Sequence, residues 1–138
     1  MEAIYTARAT ATGDGRNGHT ASDDGLLDVD VRIPKEMGGP GGATNPEELF
    51  AAGYAACFHS ALKLVGGREK LDVTGTTVTA SVSIGSLPDG GYGLGVALSV
   101  SAPHLEHETA RALVESAHQV CPYSNATRGN IDVSLSVV

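Results

Sequence analysis

Apolar and polar residues alternate with a period of two in several short runs and recur at helical spacing in two longer ones. The chain therefore predicts strands and helices in separate stretches. Residues 2–12 (EAIYTARATAT) favour a strand that enters the glycine-rich loop GDGRNGH at 13–19. Leu27, Val29, Val31 and Ile33 alternate with Asp28, Asp30 and Arg32, the pattern of a half-buried strand. PKEMGGPGGATNP at 34–46 follows, a long loop rich in glycine and proline. Loops of that length in a compact domain usually carry function or lack fixed structure.

A helix should start at Asn45, a good N-cap, with Pro46 at its first position and Glu48 three residues after the cap. Phe50, Gly53, Tyr54, Cys57, Ala61 and Leu64 then recur at helical spacing and place Cys57 on the inward face. The alanines and glycine of 51–56 make the helix slim, as suits a central, buried one. Residues 71–84 and 91–101 predict a hairpin around Pro88-Asp89-Gly90-Gly91. Its first arm changes parity, from Leu71 and Val73 to Val78, Ala80, Val82 and Ile84, which predicts a bulge near Gly75. A second helix is expected over 103–120, with Leu105, Thr109, Ala112, Leu113, Ser116 and Val120 inward. Cys121-Pro122 should end it, because proline disfavours helical geometry in the preceding residue. Ile131, Val133, Leu135 and Val137 predict a last strand. Strands then helix, twice over, give an α+β class.

The length of 138 residues fits one domain spanning 1–138, large enough to bury a core without staples. The net charge is −7 and no run of Lys or Arg occurs, which argues against a nucleic-acid partner. The start MEAIYTARAT lacks a basic leader and an apolar stretch, so no secretory signal is expected. Leu49 to Val65 is broken by His59, Ser60 and Lys63, too polar and too short for a membrane span. A soluble, cytoplasmic protein is expected, where two cysteines are seldom a structural staple. They are equally consistent with two small buried hydrophobes.

A nucleophilic cysteine must be a thiolate, and apolar burial opposes that. Cys57 stands about 11 residues into its helix, roughly 17 Å from the N-terminus and beyond the reach of the dipole. If Cys57 is reactive, a cation has to come to it. Among the six arginines Arg16 stands out, flanked by glycines in a loop able to bend inward. Such an arginine would want a carboxylate to hold it, and Glu47 in the first turn of the Cys57 helix offers one. Taken singly, Arg16 also suits a solvated loop and Glu47 a helix N-terminus.

TNPEELFAAGYAACF (44–58), GRNG (15–18) and HQVCPYSNATRGN (118–130) closely resemble the organic hydroperoxide resistance proteins, the peroxidase branch of the OsmC/Ohr superfamily. The resemblance runs the whole length, and the order of elements agrees. It implies antiparallel sheets packed on two central helices in an intertwined homodimer with its active sites at the subunit interface. It makes Cys57 the peroxidatic and Cys121 the resolving cysteine, with Arg16 stabilising the thiolate and Glu47 orienting Arg16. It further implies alkyl or fatty-acid hydroperoxides as substrates and an external dithiol, such as a lipoylated protein, as reductant, with no metal or organic cofactor. An apolar channel near Phe50, Met37 and the glycine loop would select bulky substrates. Three other readings compete. Cys57-x-His59 with His118-x2-Cys121 could bind zinc, although residues two apart on a helix diverge. A redox sensor or binding module would oxidise without turnover. Another branch of the superfamily would prefer a different peroxide.

Overall fold

The computed structural model describes residues Met1–Val138. The chain divides into two compact units, Met1–Leu49 and Phe50–Val138.

The first unit holds a three-stranded antiparallel sheet in the order β1 (Ala9–Thr12), β2 (His19–Ser22), β3 (Asp28–Asp30). β1 is shorter than the stretch 2–12 suggests, and Ile4 and Tyr5 lie before it, exposed on the chain. β2 was not foreseen; it follows a single 3-10 turn, Gly15–Asn17, that reverses the chain after β1. β3 ends early as well, although Val31 is buried and bridges to Thr44. The 34–46 segment is ordered by the turn Lys35–Met37 and by Gly39 and Gly41 amides that return to the carbonyls of Pro34 and Ile33.

Helix α1 (Pro46–Arg68) begins at the end of this unit. The Asn45 side chain accepts a hydrogen bond from the Glu48 amide at 2.9 Å, so the cap forms as its sequence indicates. The return bond of a capping box is replaced: Glu48 Oε1 accepts instead from Thr44 Oγ1 at 2.8 Å. At its far end Lys70 adopts a left-handed φ of 57°. The amides of Lys70 and Leu71 reach back to the carbonyls of Gly67 and Gly66. That pattern is a Schellman cap with lysine where glycine is usual.

The second unit stacks helices on a sheet ordered β4 (Thr77–Ser86), β5 (Tyr92–Ser101), β6 (Val133–Val137). β4 and β5 pair antiparallel without interruption, from Thr77 opposite Ser101 to Ser86 opposite Tyr92. The bulge expected near Gly75 is absent. The parity change arises because 71–75 lie outside the strand, with Gly75 at a left-handed φ of 72°. β6 pairs parallel to β5, which departs from all-antiparallel sheets. The crossover between them carries α2 (His107–Val120) and α3 (Pro122–Thr127). α2 starts four residues later than expected, at His107. α3, which Pro122 opens, was not foreseen.

Alternation gives this sheet one apolar face. Val78, Ala80 and Val82 stand opposite Val100, Leu98 and Val96, which in turn face Val137, Leu135 and Val133. Tyr54, Phe58, Leu62 and Val65 of α1 and Leu113, Val114 and Ala117 of α2 pack with them. Each large apolar side chain buried this way contributes about 1.5–3 kcal/mol before entropy is counted. The inward faces are therefore rotated from those expected: Leu64, Ala112 and Val120 are exposed, while Phe58, Leu62, Ala110 and Ala117 are buried. α1 is long and apolar enough to cross a membrane. Its packing marks it as a core helix, though Ala52, Ala56 and Ser60 leave one side exposed rather than buried all round.

Candidate active site

In the first unit the 3-10 turn presents Arg16. Its Nη1 donates to Glu47 Oε2 at 2.9 Å and its Nη2 to Glu47 Oε1 at 2.7 Å, a two-bond fork. Glu47 is mostly buried, and the hydrogen bond from Arg16 holds its carboxyl below the ordinary glutamate range against the opposing effect of burial. The same bond raises Arg16 above its ordinary value. Several contacts shape the loop. The Ile33 amide donates to Asn17 Oδ1 at 3.0 Å, and Arg32 Nη1 donates to the Gly18 carbonyl at 2.9 Å. Gly18 itself has no room for a side chain, since a Cβ there would lie 2.2 Å from the Thr12 carbonyl oxygen.

In the second unit the two thiols meet. Cys121 Sγ lies 3.5 Å from Cys57 Sγ, and both are free. A disulfide needs about 2.05 Å, so the two sulfurs are near each other but not bonded. Cys57 is half-buried, whereas Cys121 is fully buried at the corner between α2 and α3. Burial pushes the Cys57 thiol up, the Tyr123 backbone amide pulls it down, and Cys121 adds to the rise. The Tyr123 ring packs tilted against Phe50 and Tyr54, whose own two rings are stacked. Gly53 permits that approach, because a Cβ there would stand 3.0 Å from Tyr123 Oη.

Behind the thiols lies a hydroxyl network that the sequence reading missed. Tyr54 Oη is 2.9 Å from Ser124 Oγ and 3.1 Å from Thr127 Oγ1, and Ser124 Oγ is 2.8 Å from His118 Nδ1. Tyr54, Ser124 and Thr127 are all buried. The available signal was Ser124 and Thr127, spaced as one inward face directly after Cys-Pro. Burial holds His118 below the ordinary histidine value, with Arg128 adding to the effect.

The structure thus brings Arg16 to Glu47 in one unit and Cys57 to Cys121 in the other. The two histidines of the zinc reading are each engaged by a hydroxyl: His118 as above, and His59 Nε2 with Thr76 Oγ1 at 3.0 Å. Phe50 lines a cavity of about 600 Å³ together with Leu87, Tyr92, Leu94, Thr127 and Ile131. Met37 and the glycine loop are not among its walls.

A family model described as OsmC-like protein matches residues 39–136. The organic hydroperoxide resistance protein of Xanthomonas axonopodis pv. citri (strain 306) is 53% identical over 136 residues, covering 97% of this chain and 94% of its own. The organic hydroperoxide resistance protein OhrB of Bacillus subtilis (strain 168) is 48% identical over 138 residues, 98% of each chain. A solved structure of an organic hydroperoxide resistance protein from Legionella pneumophila matches with a TM-score of 0.94 at 54% identity, covering 99% of this chain and 98% of that one.

Proposed function

Because the chain belongs to the OsmC-like family, in the branch of the organic hydroperoxide resistance proteins, we propose that it is a cysteine-based peroxidase reducing organic hydroperoxides to alcohols. The observation that carries this is the 3.5 Å separation of two free thiols, one half-open and one buried. Two core cysteines with no chemistry in common have no reason to point their sulfurs at each other.

The Cys57 thiolate attacks the terminal peroxide oxygen; the O–O bond breaks, the alkoxide takes a proton and leaves as alcohol, and Cys57 becomes a sulfenic acid. The Cys121 thiol displaces water from that sulfenic acid and forms the Cys57–Cys121 disulfide. An external dithiol then reduces it by two exchange steps. A lipoyl group suits the last step, because the same molecule supplies both thiols and closes its own ring on leaving.

Burial raises the Cys57 thiol, so attack near neutral pH calls for a cation. We assign that role to Arg16, held square by Glu47, with the guanidinium also stabilising charge on the departing oxygen. A homodimer acting in the cytoplasm, away from membranes and nucleic acid, completes the proposal. No metal or organic cofactor enters these steps.

One equivalent of cumene hydroperoxide, added to reduced protein, should remove two thiols and yield one disulfide by mass. Cys121→Ser should stop at a sulfenic acid on Cys57, and Cys57→Ser should not react. Loss of the remaining Cys121 thiol in Cys57→Ser, or no thiol loss in the wild type, would overturn the assignment.

A further inference from the structure

Each thiol has a member of the hydroxyl network three residues away. Tyr54 precedes Cys57 by one helical turn on α1, so the two share a face. His118 precedes Cys121 at the end of α2, and Ser124 follows it in α3. The contacts from Tyr54 to Ser124 and Thr127, and from Ser124 to His118, therefore join the three helices that carry the two sulfurs.

The donors and acceptors fit one direction around the whole chain. Thr127 Oγ1 donates to the Ser124 carbonyl at 3.2 Å, which leaves its oxygen to accept from the Tyr54 hydroxyl. Tyr54 then accepts from Ser124, and Ser124 accepts from His118 Nδ1–H. Every hydrogen is used, and no buried side-chain polar atom lacks a partner. A satisfied network of this kind rigidifies what it spans. The corner itself is fixed by the Cys121 amide donating to the Ala117 carbonyl and the Asn125 amide donating to the Cys121 carbonyl, both at 2.9 Å. Arg128 closes the far side, donating to the His118 carbonyl at 2.5 Å.

We propose that Tyr54, Ser124, Thr127 and His118 form a positioning unit that fixes the separation of Cys57 and Cys121 and so sets how fast the Cys57 sulfenic acid is resolved. It rests on the peroxidase assignment above. The step it governs is the condensation in which the Cys121 thiol attacks the sulfenic sulfur, an S–S bond forms, the S–O bond breaks and water leaves. In this role the four residues act through the helices that hold the sulfurs.

The test mixes reduced Tyr54→Phe with one equivalent of cumene hydroperoxide, following peroxide loss and disulfide formation separately, with dimedone to trap sulfenic acid. Removing one buried hydrogen-bonding hydroxyl, and the alignment it secures, should slow disulfide formation about tenfold, while peroxide loss keeps its wild-type rate and a dimedone adduct accumulates. Ser124→Ala, which breaks both arms of the network, should show the same split. Disulfide formation at the wild-type rate in both variants, or both steps slowed together, would overturn the proposal. A second readout does not use peroxide: equilibrium with oxidised and reduced glutathione gives the effective concentration of the thiol pair. It should fall about tenfold in Tyr54→Phe. If wild type ignores the hydroperoxide but the glutathione equilibrium shifts as expected, the peroxidase assignment fails and the positioning role stands. An unshifted equilibrium sinks the positioning role alone.

Discussion

Arg16 and Glu47 meet through two short bonds in register, a geometry that only a guanidinium can supply. Arg16→Lys keeps the charge and loses the fork, so kcat/KM for an organic hydroperoxide should fall about 10²-fold with folding intact. Lysine retaining wild-type activity would remove the orienting role from Glu47. The pair also has a pH signature. Glu47 titrates lower in the folded chain than in the unfolded one. The unfolded state therefore binds the proton first as pH falls, and the stabilisation is complete above about pH 4.3 and lost on going down through the lowered value. Urea melts of Glu47→Gln across that acid range should show a flatter pH dependence than wild type. Both residues stood out in the sequence for physical reasons, a glycine-flanked cation and a first-turn carboxylate. Their direct contact was not legible, since no spacing rule links positions 31 apart.

Local rules located most elements, and their failures have particular causes. The cap at Asn45, the break at Cys121-Pro122 and the β4–β5 pairing follow from residue chemistry that acts over a few positions. The faces of α1 and α2 were rotated because alanine and glycine carry too little hydrophobic contrast to mark a face; packing chose Phe58, Leu62 and Ala117. α3 is hard to read because its six residues carry no hydrophobic periodicity: its buried positions, Ser124 and Thr127, are polar, and Pro122 at its start is the plainest mark. Two glycine-type positions give sharp expectations. Lys70 holds a left-handed conformation at the end of α1, so Lys70→Gly should stabilise the protein by about 0.5–1 kcal/mol in denaturant melts. An unchanged midpoint would mean the lysine side chain makes up the difference. Gly18→Ala drives a methyl into the Thr12 carbonyl and should cost more than about 2 kcal/mol, with the Arg16 loop displaced.

The chain as a whole combines a net charge of −7, an α+β fold and two thiols brought together from positions 64 apart. Periodicity gave the class but not the parallel β5–β6 pairing, which depends on which way the α2–α3 crossover returns the chain. Motif resemblance, not composition, pointed to the cysteines as a pair, because their own spacing suits core packing equally well. Assembly belongs to this scale too: a homodimer at micromolar concentration by sedimentation is expected, and a monomer would contradict that part of the proposal. The central claim is turnover. Steady-state consumption of cumene hydroperoxide and of hydrogen peroxide, with dihydrolipoamide as reductant, should be compared for wild type and Cys57→Ser. Fast turnover of the organic peroxide, slower turnover of hydrogen peroxide and an inactive variant are the expected results. Reduced wild-type protein that consumes neither peroxide would contradict the account and leave a sensor or binding module in its place.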